Sequence, residues 1–194
     1  ITRGMKPEDL PRQRAEIEAA RPRLGDRILI LHGAEVDIRA DGVLDYPDEA
    51  LAQLDIVIAS LHASLRQPRE QITARLLNAV RNPHVDIIAH PTGRLLPDRA
   101  GADLDSQAVF QAVQENGTAL EINAAPQRLD TDDIHTRHAV SLGIPITINT
   151  DAHSAADLDQ AFYGVSVARR AGLEKGAVIN TWEPERITAW LKSR

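Results

Sequence analysis

The chain has 194 residues, 43% of them hydrophobic, and carries 28 acidic against 22 basic side chains for a formal net charge of −6. That length supports one sizeable core and a single domain over residues 1–194, and the acidic balance excludes the basic footprint of an autonomous nucleic-acid binder. The lack of cysteine excludes disulfides, thiolate metal sites and a cysteine nucleophile, and no apolar run approaches the roughly 18–20 residues that cross a bilayer.

The chain opens ITRG with no initiator Met, which reads as a trimmed or excised piece; a soluble protein of a reducing cytoplasm is expected. Residues 7–20, PEDLPRQRAEIEAA, place Pro, Glu and Asp in a first turn ahead of helix formers. Residues 27–38, RILILHGAEVDI, predict a strand, and the Asp-Gly of ADGV then predicts a tight turn with a return through Leu44 to Tyr46. A short helix over 47–53 precedes a second strand, 55–62, and a helix over 68–80. A third strand at 85–90 leads to a helix over 104–116, and a fourth at 118–123 to a helix near 131–142 that stops at Gly143. The fifth strand, 145–153, is followed by helices over 155–171 and 184–193. Strand and helix alternate, and the strands are mostly continuous apolar runs, as when both faces are covered. The pattern predicts parallel βα units, in a doubly wound sheet or a (β/α) barrel. In either, the ligand site lies beyond the carboxyl ends of the strands.

Metal-capable side chains collect at that end. Glu35 follows the apolar part of the first strand, His62 ends the second, His90 ends the third, and Asp151 and His153 end the fifth. Each has an ordinary alternative, since a strand-end His can be a hydrogen-bonded loop residue and Asp151 can cap the helix that follows. Five such groups from four converging strands argue jointly for a metal site. His84 lies at the opposite end of its strand, His135 and His138 share a helix at a spacing of three, and His32 alternates away from Glu35; these four are expected to be structural or exposed. A mixed imidazole and carboxylate set suits zinc, manganese or iron, and several ligands around one cavity suggest more than one ion, able to activate water and clamp phosphoryl oxygens. Arg94 in HPTGR and Arg128 in NAAPQRLD are candidates for binding substrate phosphate, or else partners in surface ion pairs. No serine nucleophile elbow, Walker loop or dinucleotide glycine-rich turn is present.

Read in order, GAEVDI with DGVLDYPDE, DIVIASLH, NPHVDIIAHPTGRLL, GTALEINAAPQRLD and INTDAHS resemble the PHP (polymerase and histidinol phosphatase) phosphoesterase family, and within it the C-terminal PHP domain of bacterial family X DNA polymerases. The resemblance runs from about Pro7 to Leu191. It implies a distorted (β/α)7 TIM-like barrel with up to three divalent metals, manganese or zinc, and places the family's metal ligands on Glu35, His62, His90, Asp151 and His153. The family's opening His-x-His motif and its first two strands are missing here, so five βα units are visible and the site is expected to be incomplete in this piece alone. Ala63, Ser64 and Leu65 stand where polymerase relatives carry a further His.

The resemblance further implies a metal-dependent phosphodiesterase that acts on DNA 3′ ends (3′–5′ exonuclease and 3′-end processing in base excision repair) through a metal-activated hydroxide. Its partners would be DNA and an N-terminal polymerase region of the same protein, with no membrane. Alternatives are a phosphatase of the histidinol-phosphate type, an amidohydrolase, which the Glu35 segment fits poorly, and a non-catalytic scaffold. The piece by itself is expected to be inactive.

Overall fold

The computed structural model describes residues 4–25 and 28–193; Arg27, the first residue of the predicted opening strand, lies outside them. The elements are α1 (Leu10–Leu24), β1 (Gly33–Asp37), α2 (Asp48–Leu51), β2 (Ile56–Ser60), α3 (Arg69–Val80), β3 (Ile87–Ala89), α4 (Ser106–Asn116), β4 (Ala119–Asn123), α5 (Asp133–Ser141), β5 (Ile146–Asn149), α6 (Ala161–Ala171) and α7 (Pro184–Lys192). All five strands are parallel, in the spatial order β1-β2-β3-β4-β5. A doubly wound sheet reverses its strand order at a switch point, whereas a βα barrel keeps chain order around the wall. The observed order is the barrel's. Among the described residues the sheet is open, with β1 and β5 at its edges, and no helix is long and apolar enough to cross a membrane.

Side-chain alternation divides each strand between two environments. Val36, Val57, Ala59, Ile88, Leu120, Ile122 and Ile146 point outward into the main core beneath the helices. There α3 contributes Ile72, Leu76, Ala79 and Val80, one helical face repeated every three to four residues. The opposite face is layered. Near the amino ends of the strands, Ile87 and Ala119 pack with Ile179, joined by Ile56, Ile58, Trp182, Ile187 and Trp190. Towards the carboxyl ends the same face turns polar, with Glu35, Asp37, Ser60, Glu121, Asn123 and Asn149. Register holds these groups level, pairing Asp37 with Ser60 across β1 and β2 and Asn123 with Asn149 across β4 and β5.

Several elements depart from the sequence expectation, among them the helix expected over 155–171, which opens as a 3-10 helix, Ala155–Gln160, before α6. The first strand begins at Gly33 because the segment before it is drawn towards α1: the Arg21 guanidinium donates to the Ile30 carbonyl, and the His32 ring bonds Gln13. The helix expected from 104 starts at Ser106, since the Asp105 carboxylate caps it by accepting from Ala108 N at 3.1 Å. The fifth strand stops at Asn149, and the chain enters Asp151 in a left-handed conformation, φ 53°. The turn after β1 is tight as expected, closed by Arg39 N to Val43 O and a bridge between Ile38 and Leu44, with Gly42 at φ 86°.

Candidate metal centre

Glu35, the middle residue of β1, points to the inner face and is the hub of the site. Its Oε1 accepts from Ser60 Oγ at 2.8 Å and from His90 Nε2 at 2.9 Å, and lies 3.3 Å from His62 Nε2. The ligand atoms of Glu35, His62 and His90 all fall within 4.8 Å of one another. Burial alone would raise the Glu35 carboxyl, but hydrogen bonds from His62, His90 and Ser60 prevail and hold it well below the usual carboxylate range. The His62 imidazole is pushed up to about 9, first by its bond to Glu35, against the opposing effect of burial, and with help from Asp37. Two imidazole nitrogens and a carboxylate oxygen at this spacing, with no sulfur, suit a divalent ion such as zinc or manganese.

Each of the three is oriented from behind. His62 Nδ1 donates to Asp37 Oδ1, which leaves Nε2 turned towards Glu35. Asp37 is itself fixed, because its backbone N–H donates to Asp45 Oδ1 at 2.9 Å while Asp45 N donates back to the Asp37 carbonyl at 3.0 Å. His90 sits just past β3, 1% exposed, with φ 28°. Its backbone N–H donates to Glu121 Oε2 at 2.9 Å, and Glu121 Oε1 accepts from Asn149 Nδ2 at 3.0 Å. Glu121 thus ties the end of β3 to the end of β5 beneath the site. Burial pushes the Glu121 carboxyl up to about 7.

The structure brings Glu35, His62 and His90 into one cluster and arranges the other two expected ligands differently. Asp151 shares the inner cavity with Glu35 and His90, but its carboxylate is engaged by Arg128 Nε at 3.4 Å and Asn123 Nδ2 at 3.3 Å. His153 lines the outer cleft, of about 660 Å³, yet its side chain is 85% exposed and its Nδ1 bonds the Asp151 carbonyl at 2.7 Å. Arg128 opens onto the same cleft. Arg94 does not: its Nε donates to Arg128 O at 2.7 Å, its Nη2 to Leu129 O, and its Nη1 lies 3.6 Å from Asp132 in a separate pocket beside α4 and α5.

The remaining histidines lie apart from the cluster. His32 is buried against Gln13, and the N–H of His84 is held by Asn82. His135 and His138 both pack on Phe110 rather than forming a pair, their ring centroids 6.3 and 5.5 Å from its own. The Asp132 carboxyl is drawn down to about 2 by its hydrogen bond from His135. Sequence reasoning passed over Asp37 and Glu121. A signal existed for both: Asp37 is two residues from Glu35 and must share its face, and Glu121 is an acid within a buried strand.

No family model matches the chain. It is similar over 192 residues to the DNA polymerase/3′-5′ exonuclease PolX of Bacillus subtilis, at 43% identity, covering 99% of this chain and 34% of that protein; the chain therefore spans about a third of that relative's length. It is 34% identical over 175 residues to a probable phosphatase of Thermoanaerobacter, covering 85% of this chain and 69% of the relative. Among solved structures, the histidinol phosphate phosphatase of Lactococcus lactis, crystallised with zinc, L-histidinol and phosphate, superposes with a TM-score of 0.62 at 19% identity, over 85% of this chain and 75% of that one.

Proposed function

Because the chain belongs to the PHP phosphoesterase family, whose members hydrolyse phosphate esters with bound metal, we propose that it hydrolyses phosphodiesters at DNA 3′ ends as part of a longer family X polymerase. The observation that carries this reading is the convergence of Glu35, His62 and His90. Identity to the polymerase over almost the whole chain supports DNA as the substrate.

In this reading Glu35, His62 and His90 would hold one ion, with Asp151 and His153, which line the same cleft, as further candidate ligands. Manganese or zinc held there would supply Lewis acidity, able to lower the pKa of water and stabilise charge on phosphoryl oxygens. Asp37 keeps His62 Nδ1 protonated, so that Nε2 presents its lone pair inward. Glu121 and Asn149 hold the His90 loop and the Asp151 segment in mutual register. Arg128, already paired with Asp151, orients a phosphate oxygen, while Arg94 acts through the loop that carries Arg128.

The test uses the full polypeptide, a 3′-labelled DNA end and manganese. Glu35→Gln and the Asp151→Asn, His153→Gln pair should each abolish digestion and lower bound metal. Digestion at the parental rate by both variants would refute the assignment. A small-monoester phosphatase is favoured by the similarity to the probable phosphatase, and much faster turnover of histidinol phosphate than of DNA would establish it instead. A parent that binds no metal at micromolar manganese or zinc would point to a scaffold.

A further inference from the structure

The loop between β3 and α4 and the loop between β4 and α5 are cross-linked into one unit. Leu96 N donates to Gln127 O at 2.5 Å. Thr92 donates to the Asp130 carboxylate through its N–H and its hydroxyl at 3.1 and 2.8 Å, and the Arg94 fork fastens the Arg128 and Leu129 carbonyls. Arg94 is thereby spent on backbone, but the unit it holds together presents a different arginine to the metal centre. Residues 95 and 99 form a small hairpin, with Leu95 N to Arg99 O at 2.9 Å and the reverse bond at 2.6 Å. The Arg99 side chain then lines the outer cleft with Glu35, His62, Asp151 and Arg128.

Two features distinguish Arg99 from the other cleft cation. Arg128 is balanced by Asp151 at 3.4 Å, whereas among the described residues no carboxylate lies within 4.0 Å of the Arg99 guanidinium. Its Nε and Nη2 donate to one neutral acceptor, Gly93 O, at 3.0 and 2.6 Å, and Nη1 makes no hydrogen bond there. That carbonyl is aimed by Gly93 itself, whose φ of 61° a side chain would rarely adopt, and where an added Cβ would meet Leu65 at 3.0 Å and the Leu61 carbonyl at 3.2 Å. The guanidinium is anchored through Nε and Nη2 and makes no ion pair among the described residues, which leaves Nη1 and the second Nη2 hydrogen as donors for an oxyanion.

We propose that Arg99 is a second phosphate-recognising residue of this cleft, beside Arg128, and receives a backbone phosphate of a nucleic-acid strand whose end lies at the metal centre. The proposal rests on the phosphodiesterase reading above, and deepens it by assigning strand recognition to a loop residue separate from the metal ligands.

Arg99→Gln is the informative variant, because the amide can still donate to Gly93 O while the charge is lost. In the full polypeptide with manganese, KM for a single-stranded 3′ end should rise roughly ten- to a hundredfold, with kcat and metal content close to parental. The slope of log KM against log salt should shrink by about 0.7, the value of one phosphate contact on a single strand. Arg99→Lys should recover the salt slope and part of the KM. Unchanged KM and salt slope in Arg99→Gln, with Glu35→Gln inactive, would overturn the role of Arg99 and leave the phosphodiesterase reading standing. A metal-free parent indifferent to Glu35→Gln would instead sink that reading, and Arg99's role with it.

Discussion

Glu121→Gln probes how the floor of the metal centre is held. Glu121 is 4% exposed and accepts hydrogen bonds from His90 N and Asn149 Nδ2. Burial pushes its carboxyl up to about 7 from an ordinary value of 4.5, with the charge of His90 and the bond from Asn149 pulling the other way. Between those two pH values the folded chain keeps a proton that the unfolded chain has released. Rising pH therefore favours unfolding, by about 1.4 kcal/mol per unit. Across the window, metal-free protein should lose ~3 kcal/mol of stability from this one group, the loss levelling off above about pH 7. Gln carries no titrating proton. It keeps one acceptor, and an amide flip of Asn149 can meet its NH2, so the substitution itself should cost about 1–3 kcal/mol where the parent is protonated. The variant should accordingly be the less stable protein near pH 4.5 and match or exceed the parent at pH 8. Urea unfolding in chelator, at half-unit steps from pH 4.5 to 8 with m held in common, measures the difference directly. If parent and variant differ by a constant amount across that range, Glu121 is not the buried titrating group described here.

Asp37→Ala should weaken zinc binding by roughly ten- to a hundredfold by releasing His62 Nδ1, while Asp37→Asn, still able to accept that hydrogen bond, should retain most of the affinity; competition against a chromophoric chelator reads both. In metal-free protein His62 is raised to about 9, chiefly by Glu35, so the contribution of its proton is full below about pH 6.5, falls as pH rises from there and is lost by about pH 9. An entering ion must displace that proton, so calorimetry near pH 7 in buffers of different ionisation enthalpy should show proton release of about one per ion. Gly164→Ala should lower stability by about 1–3 kcal/mol with m unchanged, because its Cβ would stand 2.5 Å from Ile148 Cγ2 and 2.8 Å from Ala124 Cβ and force α6 off the sheet.

Much of the architecture was legible in the sequence because it is periodic. Apolar runs bounded by turn residues marked all five strands, and their alternation with helices implied parallel pairing. The same logic placed His62 and His90 at the carboxyl end of the sheet, since a residue ending a buried strand has only one end of the sheet to occupy. Legibility failed where the backbone leaves regular structure. Arg94 in HPTGR has the composition of a phosphate clasp, yet its fork is filled by carbonyls of a loop thirty-odd residues away, a tertiary match that no local pattern encodes. Arg99 lies in a hairpin with no period to give its direction. His153 follows Asp151 at the spacing expected of a ligand pair, but the chain passes through a left-handed residue at 151 and the imidazole lies exposed to solvent.

That handedness bears on how the ligands can be dissected. At position 151 the side chain supplies a carboxylate, and its short polar form also makes the left-handed turn tolerable, as only glycine, asparagine and aspartate commonly do. Alanine there would remove a proposed ligand and distort the main chain together, mixing ~1 kcal/mol of conformational penalty into any loss of metal. Asparagine keeps the bend and discards the charge, so it is the replacement that isolates coordination from shape.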